Sequence, residues 1–162
     1  MKQEIIISGF GGQGVLSMGK ILAYAALMEG KEVTWMPAYG PEQRGGTANV
    51  TVIISEEPIS SPILSSYDSA ILLNQPSLDK FQPKVKPGGT LIYDSFGIIE
   101  KPVRTDIESW QIPAMEAAAE RAERCRGGQN GAACAGAGRT AQGVERGIFR
   151  RYGPLPLSLI HI

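Results

Sequence analysis

Neither cysteine nor histidine occurs in the first 120 residues of this 162-residue chain; Cys125, Cys134 and His161 all stand in its last quarter. Up to residue 120 there is therefore no thiolate to hold an iron–sulfur cluster or attack a substrate, and no imidazole to move a proton or bind zinc. An excess of one charge is lacking too, because 16 Lys and Arg balance 16 Asp and Glu. A neutral chain has no global basic field, so neither nucleic acid nor an anionic membrane is an expected partner. No apolar run reaches the length of a membrane span, and the first strand pattern begins at once, without the apolar stretch of a signal peptide. The expectation is a cytoplasmic protein built on one α/β domain.

What the chain does have is a glycine cluster between a strand and a helix. Ile5-Ile6-Ile7 reads as a buried strand, Ser8-Gly9-Phe10-Gly11-Gly12-Gln13-Gly14 as a tight turn, and Val15 to Met28 as a helix. Gly9, Gly11 and Gly14 stand at G-x-G-x-x-G spacing, where absent side chains permit positive φ and close approach of a ligand or a second backbone. The helix's unpaired N–H groups then favour phosphate or carboxylate. A glycine turn of this kind also serves purely as a packing device, so the motif alone does not establish a ligand.

The helix offers Ile21, Leu22, Ala25, Ala26 and Met28 as its apolar face, with Gly30 as a C-terminal cap. Lys31 to Met36 reads as a second strand ended by Pro37, and the three segments together predict a βαβ unit with a right-handed crossover in a parallel sheet. A dinucleotide site would place Asp or Glu at the end of that second strand to bind ribose hydroxyls. Here the strand ends Thr34-Trp35-Met36-Pro37, which removes most support for NAD or FAD.

Beyond the proline lies a second glycine-rich loop, Ala38 to Asn49, containing Tyr39, Glu42, Arg44, Gly45, Gly46 and Thr47. It falls where loops gather at the carboxyl ends of parallel strands, the usual ligand edge of an open α/β sheet. Tyr39 offers a ring with a polar tip, Arg44 a planar fork for carboxylate or phosphate, and Gly45-Gly46 an accessible backbone. The plainer alternative is a Glu42–Arg44 ion pair closing a solvated loop. Further strands are expected at Val50–Ile54, Ser69–Asn74, Thr90–Asp94 and Glu108–Ile112, with a short helix from Pro76 to Phe81. Asp94, ending its strand, reads as a turn cap before it reads as chemistry.

After Glu120 the basic residues change from mostly lysine to arginine alone, and Gly, Ala and Arg crowd the chain without a period of 2 or 3.6. Such a tail cannot bury a face, and its composition matches GC-rich codons read in the wrong frame. A one-base shift of Gln129 to Cys134 permits apolar residues, and Leu157 to Ile162 matches the translation of a sequencing-library adapter. The domain is therefore read as residues 1–120, and 121–162 as a disordered or frame-shifted extension. The expected architecture is an open, mostly parallel Rossmann-like sheet with helices on both faces, truncated at its C-terminal side.

The two loops in order, Gly9-Phe10-Gly11-Gly12-Gln13-Gly14-Val15 and Tyr39-Gly40-Pro41-Glu42-Gln43-Arg44-Gly45-Gly46-Thr47-Ala48-Asn49, closely resemble the gamma subunit of 2-oxoacid:ferredoxin oxidoreductases, a family that includes pyruvate and ketoisovalerate enzymes. The likeness extends through Glu57-Pro58-Ile59 and Asp94-Ser95 to about Glu120. Gly-Gly-Thr-Ala-Asn after the arginine looks more like the 2-oxoglutarate or general 2-oxoacid type than the pyruvate type. The resemblance implies a hetero-oligomer that decarboxylates a 2-oxoacid oxidatively, passes the acyl group to coenzyme A and reduces ferredoxin. It implies that thiamine diphosphate, Mg and the iron–sulfur clusters lie on alpha, beta and ferredoxin-like delta partners, leaving this chain no catalytic residue or metal of its own. Gly9, Gly11, Gly12, Gln13, Gly14, Tyr39, Glu42, Arg44, Gly45, Gly46 and Thr47 become the candidates for contact with coenzyme A or partner chains. The alternatives are a free-standing nucleotide-binding domain and a purely structural subunit.

Overall fold

The computed structural model describes residues 1–39 and 46–127, with side chains to residue 121. Glu42, Arg44, Gly45 and the tail from residue 128 lie outside the described residues. One sheet organises the chain: β1 (Lys2–Phe10), β2 (Glu32–Tyr39), β3 (Thr47–Ser55), β4 (Tyr67–Leu72), β5 (Val85–Asp94) and β6 (Glu108–Ile112). They stand in the order β2-β3-β1-β4-β5-β6. Only β3 is reversed, pairing antiparallel with both β1 and β2, while β4, β5 and β6 continue parallel to β1. The expected mostly parallel α/β sheet is present, with one correction. β1 and β2 run the same way but are not neighbours, because the chain returns between them as β3.

The reversal follows from loop length. A parallel partner for β2 would need a crossover of a dozen or more residues, whereas Tyr39 and Thr47 are joined by too little chain for anything but a hairpin. β2 also runs through Pro37, which was expected to end it, and Pro37 registers with Val50. An edge strand tolerates proline because the missing N–H can fall on the side with no neighbour.

Helix α1 (Val15–Met28) covers β1, β2 and β3 on one face, where Ile7, Val50, Val52 and Leu73 meet Val15, Ala23 and Ala26. Helix α2 (Gln75–Phe81) covers the other, where Ile6, Leu72 and Leu91 meet Leu78 and Phe81. Successive residues Ile6 and Ile7 thus feed opposite cores, as the period of 2 requires. The expected apolar face of α1 needs revision. Ala26 is buried and Leu22 half-buried, but Ile21, Ala25 and Met28 are exposed. The helix presents its small residues instead, and a Cβ on Gly19 would stand 2.7 Å from Val50 and 3.0 Å from the Trp35 indole nitrogen. Gly30 caps the helix as expected, with φ 76°.

Helix α3 (Ala114–Gly127) carries on past Glu120, and residues 116–121 are exposed. Strand β6 forms the second edge and is exposed throughout, with Trp110 57% accessible. Trp110 registers with Ile92, and Ile92 with Ile71, on the face that α1 covers further along the sheet.

The amino-end rim is held by charge. Lys86 reaches both Glu4 and Asp68 at 2.7 Å, Lys2 reaches Glu4 at 2.6 Å, and Asp68 accepts the Glu4 N–H at 2.9 Å. Burial pushes the Glu4 carboxyl up, but hydrogen bonds from Lys2 and Lys86 pull it further down, to a net value below its ordinary 4.5. The Asp68 and Glu4 carboxylates raise Lys86 above its ordinary 10.5. Glu4, depressed on folding, stabilises the fold above its unfolded pKa and loses that contribution as pH falls. Lys86, raised on folding, contributes below its unfolded pKa and loses that contribution as pH rises through its folded one, so on the acid side it is Glu4 whose protonation weakens the network. Lys86→Met is expected to flatten the loss of stability between about pH 5 and 3, by no more than about 1 kcal/mol for a partly exposed network. Urea midpoints measured across that range check it, and parallel curves for the two proteins would refute it.

Candidate functional site

At the opposite rim, β1 ends at Phe10 and the glycine turn leads into α1. Positive φ falls at Gly12 (99°) and Gly14 (81°), and not at Gly9 or Gly11. Gly14 is the N-cap of α1, no side chain caps the first turn, and that turn has no acidic residue. The first N–H groups of the helix are therefore available to an anion. Gly9 sits inside β1, where a Cβ would meet Gln13 Oε1 at 2.6 Å and Leu73 and Val15 carbons at 3.1 Å. Its bareness serves packing.

The two glycine-rich stretches meet, as their shared rim requires. Gly11 N–H donates to the Gly46 carbonyl at 2.9 Å, and Phe10 registers with Thr47. Between them opens a cleft of about 520 Å³, walled by residues 10–12 and 14–17 on one side and by Tyr39 and residues 46–48 on the other. Tyr39 is 70% exposed and Phe10 37%, giving two rings at the mouth. None of the described residues of the lining carries a charge, so what these residues offer an anion is the helix N–H groups and the Ser17 and Thr47 hydroxyls.

Of the candidates, Gly11, Gly12, Gly14, Tyr39, Gly46 and Thr47 line the cleft. Gly9 and Gln13 do not, while Glu42, Arg44 and Gly45 lie outside the described residues. Phe10 and Ser17 were not singled out from the sequence. Ser17 carried a readable signal, a hydroxyl in the first turn of a helix that follows a glycine turn. Thr47 and Ala48 belong to β3 rather than to a loop.

Asp94 is fully buried at the end of β5. Its Oδ2 accepts the N–H groups of Phe96 (3.2 Å) and Gly97 (2.8 Å), and its Oδ1 accepts that of Met115 at the start of α3 (3.1 Å). It caps two backbone turns, as its position suggested.

A dinucleotide site fails here on topology as well as on sequence. The neighbour of β1 on the α1 side is the reversed β3, so the end of β2 stands one strand further off than a ribose-binding acid requires. Among the described residues no three His, Cys, Asp or Glu side chains come together, and no helix is long and apolar enough to cross a membrane.

Fold and cleft together define an open α/β domain in which a helix N-terminus and the adjoining ends of β2 and β3 line one cleft on the same rim. Comparison gives the family: the chain belongs to the pyruvate ferredoxin/flavodoxin oxidoreductase family, whose model matches residues 4–150. It is 46% identical over 117 residues to ketoisovalerate oxidoreductase subunit VorA of Methanothermobacter marburgensis, covering 72% of this chain and 24% of the relative. Among solved structures it resembles a keto/oxoacid ferredoxin oxidoreductase gamma subunit from Geobacter sulfurreducens at 34% identity and TM-score 0.58, covering 68% of this chain and 60% of that one. It also resembles the 2-oxoglutarate:ferredoxin oxidoreductase of Magnetococcus marinus with 2-oxoglutarate, coenzyme A and succinyl-CoA bound, at 27% identity and TM-score 0.66, over 74% of this chain and 21% of that one. The chain thus spans about a quarter of the VorA relative, 60% of the Geobacter structure and 21% of the Magnetococcus one.

Proposed function

We propose that this chain is the gamma-type part of a 2-oxoacid:ferredoxin oxidoreductase, and that its rim cleft receives a phosphate-bearing portion of coenzyme A beneath partner subunits. The observation that carries the reading is the uncapped start of α1 opening into a cleft whose other wall is the β2–β3 hairpin. Tyr39 and Gly46 both line that cleft, so the loop bearing Glu42, Arg44 and Gly45 starts and ends there. Arg44 is the proposed fork for phosphate, and Phe10 and Tyr39 are the proposed apolar seats for a partner chain. The coenzyme A bound to the Magnetococcus relative supports this chemistry.

In the assembled enzyme a 2-oxoacid, coenzyme A and two oxidised ferredoxins would give acyl-CoA, carbon dioxide, a proton and two reduced ferredoxins. Thiamine diphosphate with Mg would supply the electron sink for decarboxylation, and iron–sulfur clusters would supply one-electron transfer. The described residues gather no donor set for either group. Both are proposed to lie on alpha, beta and ferredoxin-like delta partners in the cytoplasm, with nothing catalysed by this chain alone.

Coexpression tests the assembly: the full chain is expected to copurify with alpha and beta chains encoded beside it, and consistent failure to do so overturns the proposal. Within the complex, Gly12→Val puts a branched side chain at φ 99° on the cleft wall. Strain of about 1 to 2 kcal/mol and lost space should raise KM for coenzyme A about tenfold while leaving KM for the 2-oxoacid unchanged. An unchanged KM for coenzyme A would remove the coenzyme from this cleft.

A further inference from the structure

Gln13 occupies the middle of the glycine turn, where a long polar side chain would ordinarily be counted as a ligand contact. Its neighbours 10–12 and 14–17 all line the cleft, and Gln13 alone in that run does not. The half-buried carboxamide turns back beneath the turn. Oε1 accepts the Phe10 N–H at 2.6 Å, closing a ring across the turn alongside the backbone bond from Gln13 N–H to the Phe10 carbonyl at 3.2 Å. Nε2 points the other way, towards the Leu73 carbonyl at 3.4 Å and the Met115 sulfur at 3.8 Å. One amide therefore joins the end of β1, the end of β4 and the first turn of α3.

Glycine at position 9 suits the same packing, because a Cβ there would stand 2.6 Å from Gln13 Oε1 as well as 3.1 Å from carbons of Leu73 and Val15. The rim is tied further by Leu73 N–H donating to the Ser8 carbonyl at 2.9 Å and by Asp94 holding Met115 N–H at 3.1 Å. Gln13 is thus the one side chain of the turn that bonds both to the turn itself and to the elements behind it.

We infer that Gln13 is a positioning residue: it fixes the glycine turn so that the N–H groups at the start of α1 face an open cleft, and it makes that geometry depend on where α3 begins. The amide suits this task because it offers an acceptor and donors on opposite sides. A carboxylate would keep the acceptor for Phe10 N–H and lose the donor to Leu73. The consequence for coenzyme binding rests on the function proposed above, whereas the consequence for the turn does not.

The experiment compares Gln13→Ala and Gln13→Glu with the parent by amide hydrogen exchange on the ligand-free full chain and by kinetics of the coexpressed complex. In Gln13→Ala, exchange over residues 9–16 is expected to quicken about tenfold, the effect of losing one hydrogen bond's worth of protection, with Gln13→Glu in between. Exchange in β3 and α2 should hold. KM for coenzyme A should rise about tenfold in Gln13→Ala with kcat within about twofold, because ligand binding is misplaced and the chemistry is not. Unchanged exchange at the turn without ligand overturns the inference, as does quickening spread evenly over the whole domain. Quickened exchange at the turn with an unmoved KM upholds the positioning role and overturns the coenzyme reading of the cleft.

Discussion

Asp94→Ala is expected to lower the unfolding free energy of the full chain by about 3 to 4 kcal/mol, the largest effect of any exchange away from the apolar core. The carboxylate has no exposed surface and accepts three backbone N–H groups, from Phe96, Gly97 and Met115. Alanine leaves all three without their partner at once. Each unsatisfied donor costs about 1 to 3 kcal/mol when water cannot replace the acceptor, and somewhat less here because these groups are only part-buried. Asp94→Asn, which keeps one carbonyl oxygen, should recover roughly half of the loss. Urea unfolding followed by far-ultraviolet circular dichroism measures both variants. A loss under about 1 kcal/mol for Asp94→Ala would mean that water enters the turn freely.

Gly97→Ala should come close behind, at about 2 to 4 kcal/mol, by the opposite mechanism of an added atom. A Cβ at position 97 would lie 2.2 Å from the Leu73 carbonyl oxygen and 3.2 Å from its carbon. Backbone cannot swing aside as a side-chain tip can, so β4 or the turn must shift. That shift would strain two further bonds, Gln75 N–H to the Gly97 carbonyl at 3.0 Å and Gly97 N–H to Asp94 at 2.8 Å. Thermal unfolding of the full chain is the check, and a midpoint within a few degrees of the parent would show that the turn relaxes cheaply.

Neither effect could be quantified from sequence, although the turn itself was legible. Asp94 at a strand end could be named as a cap, but the third bond, to Met115, depends on α3 starting beside β5. The glycine cluster was readable because strand, glycine and helix patterns are local. Which glycine needs positive φ and which needs only a close neighbour was not, since Gly9 owes its identity to Gln13, Leu73 and Val15 folded against it. The turning of the Gln13 amide away from the cleft was not legible for the same reason: the side chain's direction is set by partners 60 and 102 residues away.

Two expectations that the structure corrects concern β2. The loop read as Ala38 to Asn49 is barely long enough for a parallel crossover, and once the strands reach Tyr39 and Thr47 only a hairpin fits. Pro37 was taken as a stop because proline breaks an internal ladder, yet the same residue is tolerated on an outermost strand. The face of α1 was misjudged on hydrophobicity alone. Gly19, Ala23 and Ala26 recur at helical spacing and let the helix lie close to Val50 and Trp35, leaving Ile21 and Met28 outside.

The two outer strands differ in a way that bears on the molecule's behaviour in concentrated solution. One is interrupted by a ring that offers no donor, while the other, Glu108–Ile112, presents an unbroken backbone free of proline and lysine. Any strand-to-strand contact between molecules through the latter would consume the open side of both and leave only proline-bearing sides facing outward. A pair formed in that way would turn outward two edges each interrupted at Pro37, where further strand addition is disfavoured.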